Sequence, residues 1–139
     1  MPSSAICDAS VAVRWLVDDP LSAVAIDARR QYDLIGPWLL LSETANALRN
    51  HVKAGSLPVD LARRHLMGLP RQVEMHAEET LMPLALKLAV ERDHAVYDCV
   101  YVAMALTRAA PLITGDARLA RKFADLSGLE LRTLQTWKQ

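Results

Sequence analysis

A chain of 139 residues that is 52% hydrophobic but only 5% aromatic has enough apolar surface for one domain around one core, carried by Ala, Leu and Val. Sixteen basic residues balance sixteen acidic ones, which weighs against a nucleic-acid binder working by bulk charge and suits a chain with a partner or a second copy. No apolar run approaches the roughly 18 residues that span a bilayer, MPSSAICDAS lacks the basic and apolar regions of a signal peptide, and Cys7 and Cys99 form no CxxC pair. The expectation is a soluble, cytoplasmic protein with two reduced, buried thiols.

β-like and helical patterns alternate along the chain. A strand is predicted over 4–7, followed by a helix with Val11, Ala12, Trp15 and Leu16 at helical spacing and Ser10 as its N-cap. Asp18-Asp19-Pro20 breaks that helix, and Pro20 opens a second one running through Arg29-Arg30. A short strand over 33–36 ends at Pro37. A helix over 39–53 follows, with Leu41, Ala45, Leu48 and Val52 on one face and Ala54-Gly55-Ser56 at its end. Pro58 starts a helix through Met67, which Gly68-Leu69-Pro70 closes. A third strand is expected over 73–76, then a helix through Ala85, Leu88 and Ala89 to Asp93-His94. The next helix opens near Asp98 and runs to Ala109, and its almost wholly apolar sequence marks a helix buried nearly all round. A strand over 111–114, a helix from the cap Asp116 through Ala124 and a strand over 129–134 complete the chain. This order predicts a single α/β domain over 1–139 with a central, mostly parallel sheet covered on both faces.

Four carboxylates fall at or near strand–helix junctions: Asp8, Glu43, Asp98 and Asp116. In an open parallel sheet, residues just past the strand ends line one crevice, where ligands bind. Each acid has a structural account of its own, as an N-cap for Asp8, Asp98 and Asp116 and as a first-turn acid for Glu43. Together, four acids at such junctions point to one pocket. Four carboxylates in one pocket resist joint ionisation, and a hard divalent cation, Mg²⁺ or Mn²⁺, removes that cost. Ser10 and Thr114 offer hydroxyls to the same cluster, and Asn46 lies three residues after Glu43 on the same helical face. The chain therefore reads as a metal-dependent enzyme acting on phosphate esters. His51, His65, His76 and His94 show no ligand spacing, and of these only His94 is a candidate for a role near the pocket.

The segments DASVAVRWLV, SETANAL, YDCVYVAMA and ITGDARL, in that order, resemble the PIN-domain nucleases, most nearly the VapC toxins of bacterial and archaeal toxin–antitoxin pairs. The resemblance places the family's four acids on Asp8, Glu43, Asp98 and Asp116, its hydroxyls on Ser10 and Thr114, and a polar position on Asn46. It implies a PIN-like three-layer α/β/α sandwich and a Mg²⁺- or Mn²⁺-dependent endoribonuclease. Water would attack the RNA phosphodiester, leaving 5′-phosphate and 3′-hydroxyl ends. It also implies a homodimer and a cognate antitoxin that sets a basic side chain in the acidic pocket, where an Arg pairs bidentately with carboxylates.

RNA entering an acidic pocket needs cations at the rim. Arg14, Arg118, Arg121 and Lys122, which follow the junctions at Asp8 and Asp116, are the candidates for substrate binding, with Arg14 and Arg118 preferred, against the alternative of solvated surface charge. Trp15, Leu16, Val17 and Leu21 are apolar material either for a partner's segment or for the core. Two other functions remain open: a catalytically silent PIN-like module that binds RNA or protein, and another doubly wound Mg²⁺-dependent phosphatase, for which Ser10 stands where a second Asp would be wanted.

Overall fold

The computed structural model describes residues 2–138. Strands β1 (Ser3–Cys7), β2 (Tyr32–Pro37), β3 (Glu74–His76), β4 (Leu112–Thr114) and β5 (Leu131–Thr133) form one sheet in the order β3-β2-β1-β4-β5, with every adjacent pair parallel. The helices are α1 (Ala9–Ala12), α2 (Ser22–Gln31), α3 (Leu39–Lys53), α4 (Val59–Gln72), α5 (Met82–Arg92), α6 (Val96–Arg108) and α7 (Ala117–Phe123). From β1 the chain steps outward to β2 and β3, then crosses back to β4 on the other side of β1 and on to β5. Right-handed crossovers therefore put α1 to α4 on one face and α5 to α7 on the other. The packing of α3 against α1 and α4, and of α5 against α6, follows that division. The result is a three-layer α/β/α sandwich whose switch point lies between β1 and β4. None of the helices among the described residues is long and apolar enough to cross a membrane.

β1 is the middle strand, and Ala5, Ile6 and Cys7 are completely buried in it. They pack with Leu34, Ile35, Leu112 and Ile113 of the flanking strands and with the apolar length of α6, which is buried from Cys99 to Ala105. Val13, Leu48, Leu57 and Ala62 make a smaller cluster where α3 and α4 meet the turn after α1. Trp15 and Leu21 pack on the main core, and Leu16 and Val17 pack on the smaller one. Trp15 also donates its indole N–H to the Ala25 carbonyl at 2.9 Å. Of the two uses open to these residues, the structure shows the core.

Several boundaries differ from expectation. α4 does not stop at Gly68-Leu69-Pro70 but continues to Gln72, with Pro70 inside it. A proline there removes one backbone N–H and crowds the preceding turn. Complete burial of Leu69 and near-complete burial of Val73 hold the last turn on the core and outweigh that cost. α2 begins at Ser22 rather than Pro20, because Asp19 Oδ1 accepts from the Leu21 N–H at 2.8 Å and Ser22 Oγ donates to the Val17 carbonyl at 2.6 Å. The N-cap of α1 is Asp8, not Ser10. α6 begins at Val96, so Asp98 lies in its first turn and is not its cap.

Candidate active site

Two of the four acids are held by the ends of adjacent strands. β1 ends at Cys7, and Asp8 turns the chain into α1 with Oδ1 accepting from the Ser10 N–H at 3.1 Å. Ser10 Oγ donates to the same oxygen, and Thr114 Oγ1, at the end of β4, donates to Asp8 Oδ2. Each hydroxyl then accepts a backbone N–H: Ser10 Oγ from Gly115 at 2.7 Å and Thr114 Oγ1 from Asp116 at 3.0 Å. Every proton in this network has one acceptor, so the carboxyl ends of β1 and β4 are locked together. A Cβ at Gly115 would lie 2.6 Å from Arg14 Nη1 and 3.1 Å from Leu134 Cδ1, so a side chain there would displace the Arg14 guanidinium. Asp116 in turn caps α7, accepting from the Arg118 and Leu119 N–H groups at 2.9 and 3.2 Å.

The other two acids come from helices on opposite faces of the sheet. Glu43 projects from α3, and Tyr101 of α6 donates its hydroxyl to Glu43 Oε1 at 2.6 Å. Asp93, in the left-handed conformation at φ 49°, ends α5 and brings His94 back towards α6. The His94 side chain is 5% exposed, packs edge-on to Phe123, and sets Nε2 2.6 Å from Asp98 Oδ2.

Asp8, Glu43, Asp98 and Asp116 line one open cleft of about 470 Å³, together with Ser10 and Asn46. Thr114 lies beneath it, fully buried, as the donor to Asp8. Arg118 stands on a smaller cavity of about 240 Å³ that shares Asp98 and Asp116 with the cleft. Arg14 does not line the cleft: its Nε pairs with Asp19 at 2.9 Å and its Nη1 donates to the Ser10 carbonyl at 2.7 Å, a brace under α1. Reading the residues in order missed Tyr101 and Asn50. A tyrosine inside an otherwise apolar helix needs a hydroxyl partner, and Asn50 repeats the face of Glu43 and Asn46 after one more turn of α3.

The electrostatics show a site short of positive charge. Burial pushes the Asp8 carboxyl up to about 6; the hydrogen bonds from Ser10 and Thr114 oppose that rise, and the charges of Asp98 and Asp116 add to it. Burial also raises Glu43, against the Tyr101 hydrogen bond and with a further push from Asp98. The Tyr101 phenol is raised by burial and by Glu43. Burial raises the thiols of Cys7 and Cys99, the latter to about 11, so both are inert. All-oxygen donors that repel one another fit a hard divalent cation. Among the described residues the acids do not close into a tight cage of three or more ligands. Mg²⁺ does not require one, since it keeps several waters and takes one or two carboxylates plus substrate oxygens.

A parallel sheet with four acids gathered at its switch point defines an α/β protein of the PIN class. The PIN domain family model matches residues 5–124, and the chain belongs to that family. It is 28% identical over 116 residues to Ribonuclease VapC1 of Mycobacterium tuberculosis (strain ATCC 25618 / H37Rv), covering 83% of this chain and 87% of that protein. It is 34% identical over 87 residues to Ribonuclease VapC3 of Pyrobaculum aerophilum, covering 60% of this chain and 66% of that one. Among solved structures, PAE2754 from Pyrobaculum aerophilum superposes with a TM-score of 0.72 at 25% identity, over 98% of this chain and 94% of the other. The DNA-bound VapBC of Salmonella typhimurium shares the fold at a TM-score of 0.68 and 13% identity, over 96% and 99% of the two chains.

Proposed function

We propose that this chain is a metal-dependent endoribonuclease that hydrolyses RNA phosphodiesters with water, and that it is the toxin of a toxin–antitoxin pair. The observation that carries the reading is the meeting of Asp8, Glu43, Asp98 and Asp116 in one cleft at the switch point of a PIN fold. The relatives named as ribonucleases support RNA as the substrate. Asp8, Glu43, Asp98 and Asp116 would hold Mg²⁺ or Mn²⁺, which supplies Lewis acidity and lowers the pKa of water at the site. The remaining work belongs to the chain itself. Ser10 and Thr114 fix both oxygens of Asp8, His94 orients Asp98, Tyr101 orients Glu43, and Asn46 presents an amide beside Glu43. Arg118, exposed beside Asp116, meets an incoming phosphate. Loss of the 3′ oxygen leaves 5′-phosphate and 3′-hydroxyl ends.

Incubation of the purified protein with an RNA pool in Mn²⁺, in Mg²⁺ and in EDTA is expected to give cleavage in either metal and none in EDTA. Asp98→Asn should remove the cleavage. Cleavage that persists in EDTA, or in the variant, would reject the mechanism. His94→Ala should weaken Mn²⁺ binding by roughly tenfold through the loss of Asp98's partner. Titration calorimetry with Mn²⁺ reads that change, and His94→Gln should recover part of it.

The partners follow the same reading. Structure neighbours that are toxin–antitoxin or VapBC complexes support a cognate antitoxin, whose basic side chain would pair with the acids in place of the metal. Met82, Leu86 and Val90 repeat every four residues along α5 and are 38%, 60% and 74% exposed. Two antiparallel copies of α5 centred on Leu86 would set Met82 of one against Val90 of the other, with the Lys87–Glu91 ion pair flanking that stripe. We place the homodimer interface there. Leu86→Glu should convert a dimer to a monomer in light scattering and make the melting temperature independent of protein concentration, and a dimer that persists would move the interface elsewhere.

A further inference from the structure

We propose that the acidic cleft also holds one unpaired nucleobase of the substrate strand, stacked on Tyr97 and read by the side-chain amides of Asn46 and Asn50. This rests on the reading of the chain as a ribonuclease and names how the same cleft selects its RNA. Tyr97 stands immediately before Asp98 in the first turn of α6 and lines the cleft. Residues 99–105 of that helix are buried, yet Tyr97 is 59% exposed. Among the described residues its hydroxyl has no hydrogen-bond partner and its ring stacks on no other aromatic. Core packing therefore does not account for it. Asn46 and Asn50 follow Glu43 at three and seven residues along α3, which puts all three on one helical face, and both line the same cleft. Both are exposed, and neither amide bonds another protein group among the described residues. The cleft is thus lined by four acids and, beside them, by one aromatic ring and two amides that offer donors and acceptors.

Charge argues the same way. The chain is neutral overall and four acids line the cleft, so the cleft's own side chains offer phosphates little attraction. Arg14 is occupied by Asp19 and the Ser10 carbonyl, and Arg118 is the arginine that lines the smaller cavity beside Asp98 and Asp116. Stacking and base-edge hydrogen bonds do not need positive charge. A volume of about 470 Å³ falls within the usual size of a small-molecule site. A base still in a duplex has its faces and its pairing edge occupied, so the site takes single-stranded RNA.

The test is fluorescence anisotropy with short labelled homopolymers of each of the four ribonucleotides, and with a base-paired duplex. It is run in Ca²⁺, which neutralises the acids but whose loose coordination supports hydrolysis poorly. Single strands should bind and the duplex should not. Tyr97→Phe should bind as the wild type does, and Tyr97→Leu should bind about tenfold more weakly. Asn50→Ala should change the order of preference among the four bases. Tyr97 is exposed, so an unchanged melting temperature will show that the fold is intact. Wild-type binding by Tyr97→Leu, duplex binding equal to that of single strands, or no binding of any homopolymer would each overturn the base site. Cleavage in Mn²⁺, measured alongside, separates the two ideas. Tyr97-dependent binding without cleavage keeps the base site and removes the nuclease, and cleavage with Tyr97-independent binding does the reverse.

Discussion

Asp8→Asn is expected to abolish cleavage while making the metal-free protein more stable at neutral pH. Burial holds the Asp8 carboxyl at about 6 in the folded chain, against 3.8 when it is exposed. The folded state therefore binds this proton more tightly than the unfolded state does. The stability it contributes is fully present below the unfolded value and is lost as pH rises through the folded one. Across that window the loss amounts to about 3 kcal/mol. Asparagine is neutral at every pH and keeps one acceptor oxygen for Ser10, while its amide N–H can donate to a rotated Thr114 hydroxyl. Allowing about 1 kcal/mol for imperfect hydrogen bonding, the variant should be more stable than the wild type by about 2 kcal/mol at pH 7. For a chain of this size that is roughly 5 °C in melting temperature. The two stability curves should cross near pH 4.5, roughly where the wild type's loss equals that allowance, and below it the wild type should be the more stable by up to about 1 kcal/mol. Mn²⁺ should raise the wild-type melting temperature and leave the variant's nearly unchanged, since only the folded wild type gains a ligand. Equal pH dependence in the two proteins would show that the buried charge of Asp8 is not a cost to the fold. A wild type that loses stability through this window while the variant does not would mark the buried charge of Asp8 as a cost to the metal-free fold.

Much of this was legible in the sequence, for reasons that differ between residues. Strands β1 and β4 are short apolar runs with an acid directly after or two residues beyond, so Asp8 and Asp116 stand out locally. Their alternative role as caps turned out not to be an alternative: both cap a helix and line the cleft, because the strand end that faces the crevice is also where the next helix begins. Glu43 and Asn46 were legible as one face of α3. The resemblance to PIN nucleases added their order along the chain, and the family match over residues 5–124 covers all four acids.

What stayed hidden depended on contacts between distant segments. Pro70 reads as a helix end, and only the buried seat of Leu69 explains why α4 runs on. Arg14 looks like a rim cation because it follows Asp8. Its turn after α1 instead points the guanidinium at Asp19 and the Ser10 carbonyl, and spacing alone does not encode that direction. Tyr101 has the same character, since its hydroxyl is explained only by Glu43, 58 residues away in sequence on the opposite face of the sheet.

Tyr101→Phe tests that last contact and is expected to lower both stability and activity. The ring is almost completely buried, and phenylalanine fills nearly the same volume, so no large cavity opens. What disappears is the donor to Glu43 Oε1, a hydrogen bond to a charged group worth about 2 kcal/mol. Burial already raises the Glu43 carboxyl and the Tyr101 hydrogen bond lowers it, so removing the hydroxyl raises it further. A higher folded pKa means that stability falls as pH rises through it, so the gap between variant and wild type should widen with pH and nearly close once Glu43 is protonated. Urea denaturation from acidic to neutral pH reads this directly. Activity should fall by about tenfold or more, because an unanchored Glu43 no longer holds its place among the other three acids. A gap that stays constant across the pH range would mean that Tyr101 matters to the fold through its ring alone. Lost activity at unchanged stability would instead assign the hydroxyl a direct part in the chemistry.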